Sequence, residues 1–533
     1  MPTHKAIPLL GLFVVGATLA AAPAGPDGES LTLDYLRDAL ETYSFEVAEA
    51  YYQSDAYGTE IEIDELLERY AWLYDPAIVD WIHGLREEAN DPGAERGLRY
   101  LARDLEDVLL WEPLEDLYIE YLEAEIAGGV EYEGEWIAYR DIWTVADELE
   151  TDAEREELRD LARDFIQNEL HPLQEEYRRG VGERCRELGY ADYLDYYGRT
   201  RGRDFAALAA DCLYILAETR ELYETLADER VAEVYPERER LSLSSIERWR
   251  LWDDEEYDAH FAAEELLPRW EAFINNLGLD FNQRDNVTLD AEDRPAKEPR
   301  AACWPMLVPE DVRVMVKPTG GFDDYATLFH EMGHACHFAY TDPALTYEYQ
   351  QLGDDAITET YAFCFENLFV NPAYLSEVIG MSDENARRFR RRRLFGEVGA
   401  LRYYCTAFLY ELVFHGVEAD PAEAYRNLIE MTTIWTQDPE DLLTGVFDTN
   451  EDFYTTNYLY AWMLEAQLRH RLESDYGPRW WNQPAAGELL HDLWRRGYQL
   501  MPQTLSAELG YDDCDPRRLL TMLEELEADT RSE

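Results

Sequence analysis

Beyond Pro26 nearly every long stretch of this chain places apolar residues three and four positions apart, with acidic residues and arginines between them. Leu31–Ala50, Ile61–Trp72, Glu154–Glu169 and Asp204–Ala227 all follow the pattern. Such spacing lays an apolar stripe along an α-helix, whereas a half-buried strand needs strict alternation. With 533 residues, 46% of them apolar, the chain can bury a large core and is not disordered. The pattern predicts a mainly α fold. It breaks between Asn286 and Val316. Asp290–Pro309 is rich in Pro and charge and reads as a connector, and residues 312–316 (VRVMV) alternate as a strand. Residues 317–321 (KPTGG) then turn the chain into a helix near Asp323, and helical periodicity runs on to the C-terminus. The resulting organisation is a leader over 1–24, an N-terminal helical region over 25–295 and a second region over 296–533, with residue 295 a boundary or a seam within one domain.

Charge narrows the function classes. Against 47 Lys and Arg stand 113 Asp and Glu, a net charge of −66. Such a surface repels phosphate backbones and anionic lipid, which argues against nucleic-acid binding. Lys5, Lys297 and Lys317 are the only lysines. Acid-rich, lysine-poor surfaces suit concentrated salt, so a halophilic setting is expected. The N-terminus has a basic Lys5, an apolar run from Ile7 to Ala20 and small residues around Ala22 and Ala24, the layout of an export signal. That run is short of the roughly 20 residues of a bilayer span. The expectation is a periplasmic or secreted protein with no membrane contact after cleavage, anchored only if the leader stays. Seven scattered cysteines, odd in number and without a CxxC pair, read as buried thiols rather than a disulfide framework.

The chemistry concentrates in residues 330–334, HEMGH. On a helix, His330 and His334 share one face about 6 Å apart, so both imidazoles can reach one ion. Glu331 lies where its carboxylate can reach a water on that ion. A catalytic zinc needs a third protein ligand. Downstream, residues 353–366 (GDDAITETYAFCFE) form a second amphipathic helix, on which Glu359 and Glu366 stand seven apart on one face. An otherwise apolar helix buries such carboxylates only beside a cation or donor. Glu359 is the expected third ligand, and Glu366 is expected to accept from a ligand or contact substrate.

Residues 324–337, DYATLFHEMGHACH, resemble the active-site helix of the thimet oligopeptidase and oligoendopeptidase F family of zinc metallopeptidases, of the gluzincin type. That family reads HExGHxxH with a ligand Glu 28 or 29 residues beyond the first His, and Glu359 stands 29 beyond His330. Glu366 falls where the family carries another Glu, and residues 311–321 (DVRVMVKPTGG) look like its substrate-side strand. Angiotensin-converting-enzyme-like dipeptidases share HEMGH but lack the histidine matching His337. The likeness in helical body and length spans 31–533, with specific motifs only in 311–366 and 452–462.

The resemblance implies a large two-lobed helical metallopeptidase with a small β element beside the active-site helix, and one Zn2+ per chain. It implies a cleft that admits short peptides. From the Tyr-rich run 452–462 (DFYTTNYLYAW) it implies phenols that stabilise an oxyanion, Tyr458 first and Tyr460 second. The family's histidine just before that run is missing: no His lies between His415 and His470, and Asp452 or a polar neighbour takes its place. His337 is expected either to support the ligands or substrate or to be a structural core residue. Of Arg387, Arg388 and Arg390 to Arg393, six on one helix, most are expected to pair with surface acids. The expected activity is zinc-dependent hydrolysis of short peptides with Glu331 as general base. The alternatives are a dipeptidyl carboxypeptidase of the same superfamily and a non-catalytic, zinc-containing peptide-binding protein.

Overall fold

The computed structural model describes residues 22–26, 28–149, 151–244, 247–248, 250–252, 255–298, 301–416, 421–437 and 453–531. Residues 1–21 of the expected leader, and Asp452, lie outside the described residues. The fold is mainly α, 73% helix and 5% strand. No described helix is long and apolar enough to cross a membrane.

Local sequence sets the helix starts. The first, α1 (Leu33–Tyr57), is capped by Thr32, whose hydroxyl accepts the Tyr35 N–H at 3.2 Å. Two Asp-Pro steps start the next long helices: Asp75 caps α2 (Pro76–Glu88) and Asp91 caps α3 (Pro92–Trp111), each with Pro in the first turn, where no N–H is needed. A short hairpin of β1 (Gly129–Tyr132) and β2 (Glu135–Ala138) follows, then α4 (His171–Glu187) and α5 (Tyr193–Arg201).

The interruption in the helical pattern folds as a three-stranded sheet of β3 (Val287–Asp290), β4 (Ala302–Leu307) and β5 (Asp311–Met315), in the order β3-β5-β4. β3 runs parallel to β5, with Val287 opposite Val312, and β4 runs antiparallel to it, with Cys303 opposite Val314. Two expectations change here. The Pro-rich connector contains β4, whose Pro305 is tolerated because an edge strand need not donate on its outer side. The 312–316 strand, which the resemblance cast as substrate-side, is central, both of its edges already paired, and β3 and β4 are the edges. Lys297, one of the three lysines, is buried in the connector and donates to the Asp290, Glu292 and Val316 carbonyls and to Asp290 Oδ1.

Helices continue with α6 (Phe322–Tyr340), α7 (Asp355–Glu366), α8 (Asp383–Gly416) and α9 (Thr455–Tyr476). Val312 and Val314 face the α6 side, in the largest core cluster, while Met306 and Met315 pack with Tyr52 and Ala56 of α1. The small sheet is therefore held between α1 and the motif-bearing helix. The largest cluster runs from Leu110 to Leu523, and a second joins Leu36, Ile82 and Leu101 to Tyr347 and Leu352. Apolar packing crosses residue 295 in both, which makes that point a seam in a continuous core. All seven cysteines are free thiols, six of them buried.

Candidate metal centre

The motif lies on α6. The preceding turn is fixed by Asp324, whose carboxylate accepts the Thr319 and Gly320 N–H groups at 2.5 and 2.6 Å, while Asp258 accepts that of Phe322 at 2.9 Å. Gly321 has φ of 100°, a conformation only glycine takes without strain. Tyr325, Leu328, Phe329, Met332 and Ala335 bury the helix in the core and leave His330, Glu331 and His334 on its half-open side.

The third ligand comes from α7, which crosses α6 at Gly333. A Cβ at Gly333 would lie 2.5 Å from Ala362 Cα and 2.6 Å from the Tyr361 carbonyl oxygen, so only glycine permits the approach. The start of α7 is pinned from the N-terminal half of the chain. Arg203 grips the capping Asp354 with two bonds of 2.9 Å and reaches Asn457 of α9 at 2.5 Å. Arg103 donates to the Leu352 and Gly353 carbonyls at 2.6 and 3.0 Å.

These constraints bring three ligand atoms together. His330 Nε2 and His334 Nε2 are 3.3 Å apart, and Glu359 Oε2 lies 3.4 Å from the first and 3.6 Å from the second. Ligand atoms at about 2.0–2.1 Å from a tetrahedral ion sit roughly 3.3–3.4 Å from one another. Glu359 Oε2 is buried and accepts no hydrogen bond, an expensive state unless a cation completes it. The donor set, two imidazoles and a carboxylate, suits a divalent ion such as zinc. No protein-family model matches this chain, and no curated protein matches it.

The outer contacts orient the ligands. His330 Nδ1 donates to Glu366 Oε2 at 3.0 Å, which leaves the Nε2 lone pair for an ion, and His334 Nδ1 meets Thr358 Oγ1 at 2.8 Å. The Tyr454 hydroxyl donates to Glu359 Oε1 at 2.9 Å, leaving Oε2 for the centre. Burial lowers the His330 pKa, but the adjacent Glu359 and Glu366 carboxylates outweigh it and hold the ring well above its ordinary range, so an arriving ion must displace a proton. Burial takes His334 down to about 4 against the pull of Glu359. Burial raises Glu359, yet His334, His330 and Tyr454 together keep it below the usual carboxylate value.

Glu331 points to the same place from beside the ligands. The Cys303 N–H of edge strand β4 donates to its Oε2 at 2.7 Å. Burial pushes its carboxyl up to about 7 against His330 and that N–H, with the charges of Glu359 and Glu366 adding to the rise. A carboxylate tuned near neutrality is matched to accepting and returning a proton.

An aromatic wall from α7, α8 and α9 flanks the centre. Phe363 lies 5.5 Å from the His330 ring and stacks on Trp462 at 5.1 Å, and Tyr458 contacts Tyr404 and Tyr454, each at 5.2 Å. Tyr458 is half-buried, its phenol makes no hydrogen bond among the described residues, and its pKa is raised by burial and then by the charge of Glu359. Tyr460 is not part of the site: two residues further along a helix is about 200° around it, and its ring packs under Arg203 at 4.7 Å. His337 is also turned inward, fully buried among Phe338, Tyr361 and Tyr498, where burial holds its pKa down to about 3. The arginine run is taken up largely by acids: Arg387 pairs with Glu384 and Arg391 with Glu229, while Arg393 lies 3.8 Å from Glu366. Tyr454 was not among the sequence candidates. Its signal was its position four residues before Tyr458, on the same side of the run.

Proposed function

We propose that this chain is a zinc-dependent oligopeptidase that hydrolyses short peptides. The observation that carries the reading is the convergence of His330, His334 and Glu359 at the mutual spacing of a tetrahedral site, with Glu331 next to the first of them on the half-open side of the helix. The likeness of HEMGH and its downstream glutamate to the thimet oligopeptidase and oligoendopeptidase F family supports the same conclusion and supplies the substrate class.

When bound, zinc would act as a Lewis acid toward the scissile carbonyl and make a water acidic enough to attack near neutral pH. The chain's residues do the remainder. Glu331, braced by the Cys303 N–H, accepts the proton of the attacking water and returns it to the leaving amine. Tyr458, kept protonated by its surroundings, donates to the oxygen where negative charge develops. Glu366 and Thr358 fix the imidazoles, and Tyr454 fixes the Glu359 carboxylate. A carboxylate such as Glu331, beside the three candidate ligands but not one of them, has no use in a purely structural site, which favours hydrolysis over a non-catalytic peptide-binding role. Action in concentrated salt outside the cytoplasm, as the composition and leader suggest, belongs to the same proposal.

The test is cleavage of an internally quenched peptide by the zinc-loaded full chain, abolished by a chelator and restored by zinc. Glu331→Gln is expected to keep its zinc and lose about 10³-fold in kcat. Glu359→Ala is expected to lose the metal itself, read by elemental analysis. Wild-type turnover in the Gln variant, or no chelator-sensitive cleavage at all, refutes the proposal.

A further inference from the structure

Away from the metal centre, α2, α3, the end of α4 and α5 enclose a cavity of about 630 Å³. That volume is in the range of small-molecule sites. Two buried charges face it. Arg99 of α3 is 9% exposed, and among the described residues its guanidinium makes one hydrogen bond, to the Thr200 carbonyl at 3.3 Å, with no carboxylate in ion-pairing range. The acid closest in sequence, Glu95, is taken by Arg86 at 2.5 Å. Arg402, also buried and also without a carboxylate, is satisfied by the Leu216 and Thr432 carbonyls and the Thr219 hydroxyl, whereas Arg99 has a single acceptor. Burial holds its pKa below the ordinary value, and Arg86 and Arg103 add to the lowering against Tyr100 and Glu95.

The second charge is Glu106, 4% exposed. It accepts from the Tyr190 hydroxyl at 3.0 and 3.1 Å and meets His83 Nε2 at 2.9 Å, but pairs with no Arg or Lys. Arg99 and Glu106 are seven residues apart on α3, two turns on one face and about 10 Å along the axis, too far to satisfy each other. Buried charges are normally paired, and here one cavity is bordered by a cation with no carboxylate in ion-pairing range among the described residues and by an anion whose one potential cationic partner is His83.

We propose that this cavity binds a di- or tripeptide with free termini, its carboxylate on Arg99 and its ammonium on Glu106. Two or three extended residues span about 7–10 Å, the same order as the two-turn offset between the Arg99 and Glu106 positions on α3. Arg99 supplies a planar fork suited to a carboxylate, and Glu106 keeps acceptor capacity beyond its present donors. The inference stands apart from the peptidase reading.

The experiment is calorimetric titration of the full chain at fixed KCl with Ala-Ala, N-acetyl-Ala-Ala, Ala-Ala amide and acetate. Saturable binding of Ala-Ala is expected, at least tenfold weaker for each blocked form and for acetate. Arg99→Gln and Glu106→Gln are each expected to weaken Ala-Ala at least tenfold, while Glu359→Ala leaves it unchanged. If Arg99→Gln loses its helical circular dichroism, Arg99→Lys replaces it, with at least a threefold loss expected. No saturable binding, acetate equal to Ala-Ala, binding unmoved by the Arg99 and Glu106 variants, or binding lost in Glu359→Ala would each overturn the assignment.

Discussion

Glu359 divides its two oxygens between different tasks. Oε2 faces the imidazoles, and Oε1 takes the Tyr454 hydroxyl, so the phenol decides which oxygen is free. Tyr454→Phe is therefore expected to weaken zinc about tenfold, the usual scale for removing a partner of a ligand, with little change in kcat once zinc is saturating. A competition titration against a chromophoric chelator measures the first effect. Tyr458→Phe should do the opposite: zinc affinity unchanged and kcat lowered about 10²-fold, more than KM rises. An equal effect of both variants on kcat would mean that the two phenols do not have separate roles. The convergence of His330, His334 and Glu359 was legible in the sequence because the histidines stand four apart on one helix and Glu359 stands seven from Glu366 on one face of the next. Tyr460 misled for the same reason turned around. Proximity in sequence to Tyr458 counted for more than direction, and a helix points neighbours two apart to opposite sides. His337 stands three residues after His334, a spacing that also fits the apolar side of α6, and there the core claimed it.

Between elements, the crossing of α6 and α7 is the most constrained contact in the site. The glycine in HEMGH lets the backbone of α7 approach closely enough for Glu359 to reach across, and Arg203 and Arg103 hold the start of α7 in register. Gly333→Ala is expected to push the helices apart, costing about 1–3 kcal/mol by overpacking and weakening zinc more than tenfold. Denaturant midpoints together with zinc titration test this; a variant with native stability and affinity would show that the crossing relaxes freely. At this scale the helices were readable because a 3.6-residue period is repeated many times along each one. β4 was not, because a strand of six residues with a Pro inside, half-buried on an edge, carries too few repeats to stand out from a charged connector. The placing of β5 was hidden for a related reason: its alternation announces a strand but not the number of neighbours it has.

Across the whole molecule, the arginines are largely spent on local acids, often three or four residues away on the same helix, as in Arg178 with Glu175 and Arg471 with Asp475. Pairing every one of the 47 basic residues would still leave 66 carboxylates uncompensated. Their mutual repulsion acts on the folded state more than on an expanded chain, so it subtracts from stability in dilute buffer. Salt shortens its reach, from about 10 Å at 0.1 M to about 3 Å at 1 M. The melting temperature is thus expected to climb most steeply between dilute buffer and about 1 M KCl, the span over which the screening length contracts most. Beyond that a slower rise is expected, of the kind that solute exclusion from the surface produces. Sucrose at matched osmolality separates the two, since it is excluded but screens nothing. A sucrose curve that reproduces the KCl curve, or a melting temperature indifferent to KCl, would mean that the surplus carboxylates do not govern the stability of this fold. Peptide cleavage should follow the same salt dependence, because His330, His334 and Glu359 are assembled from separate helices and any loosening of the core spreads them apart.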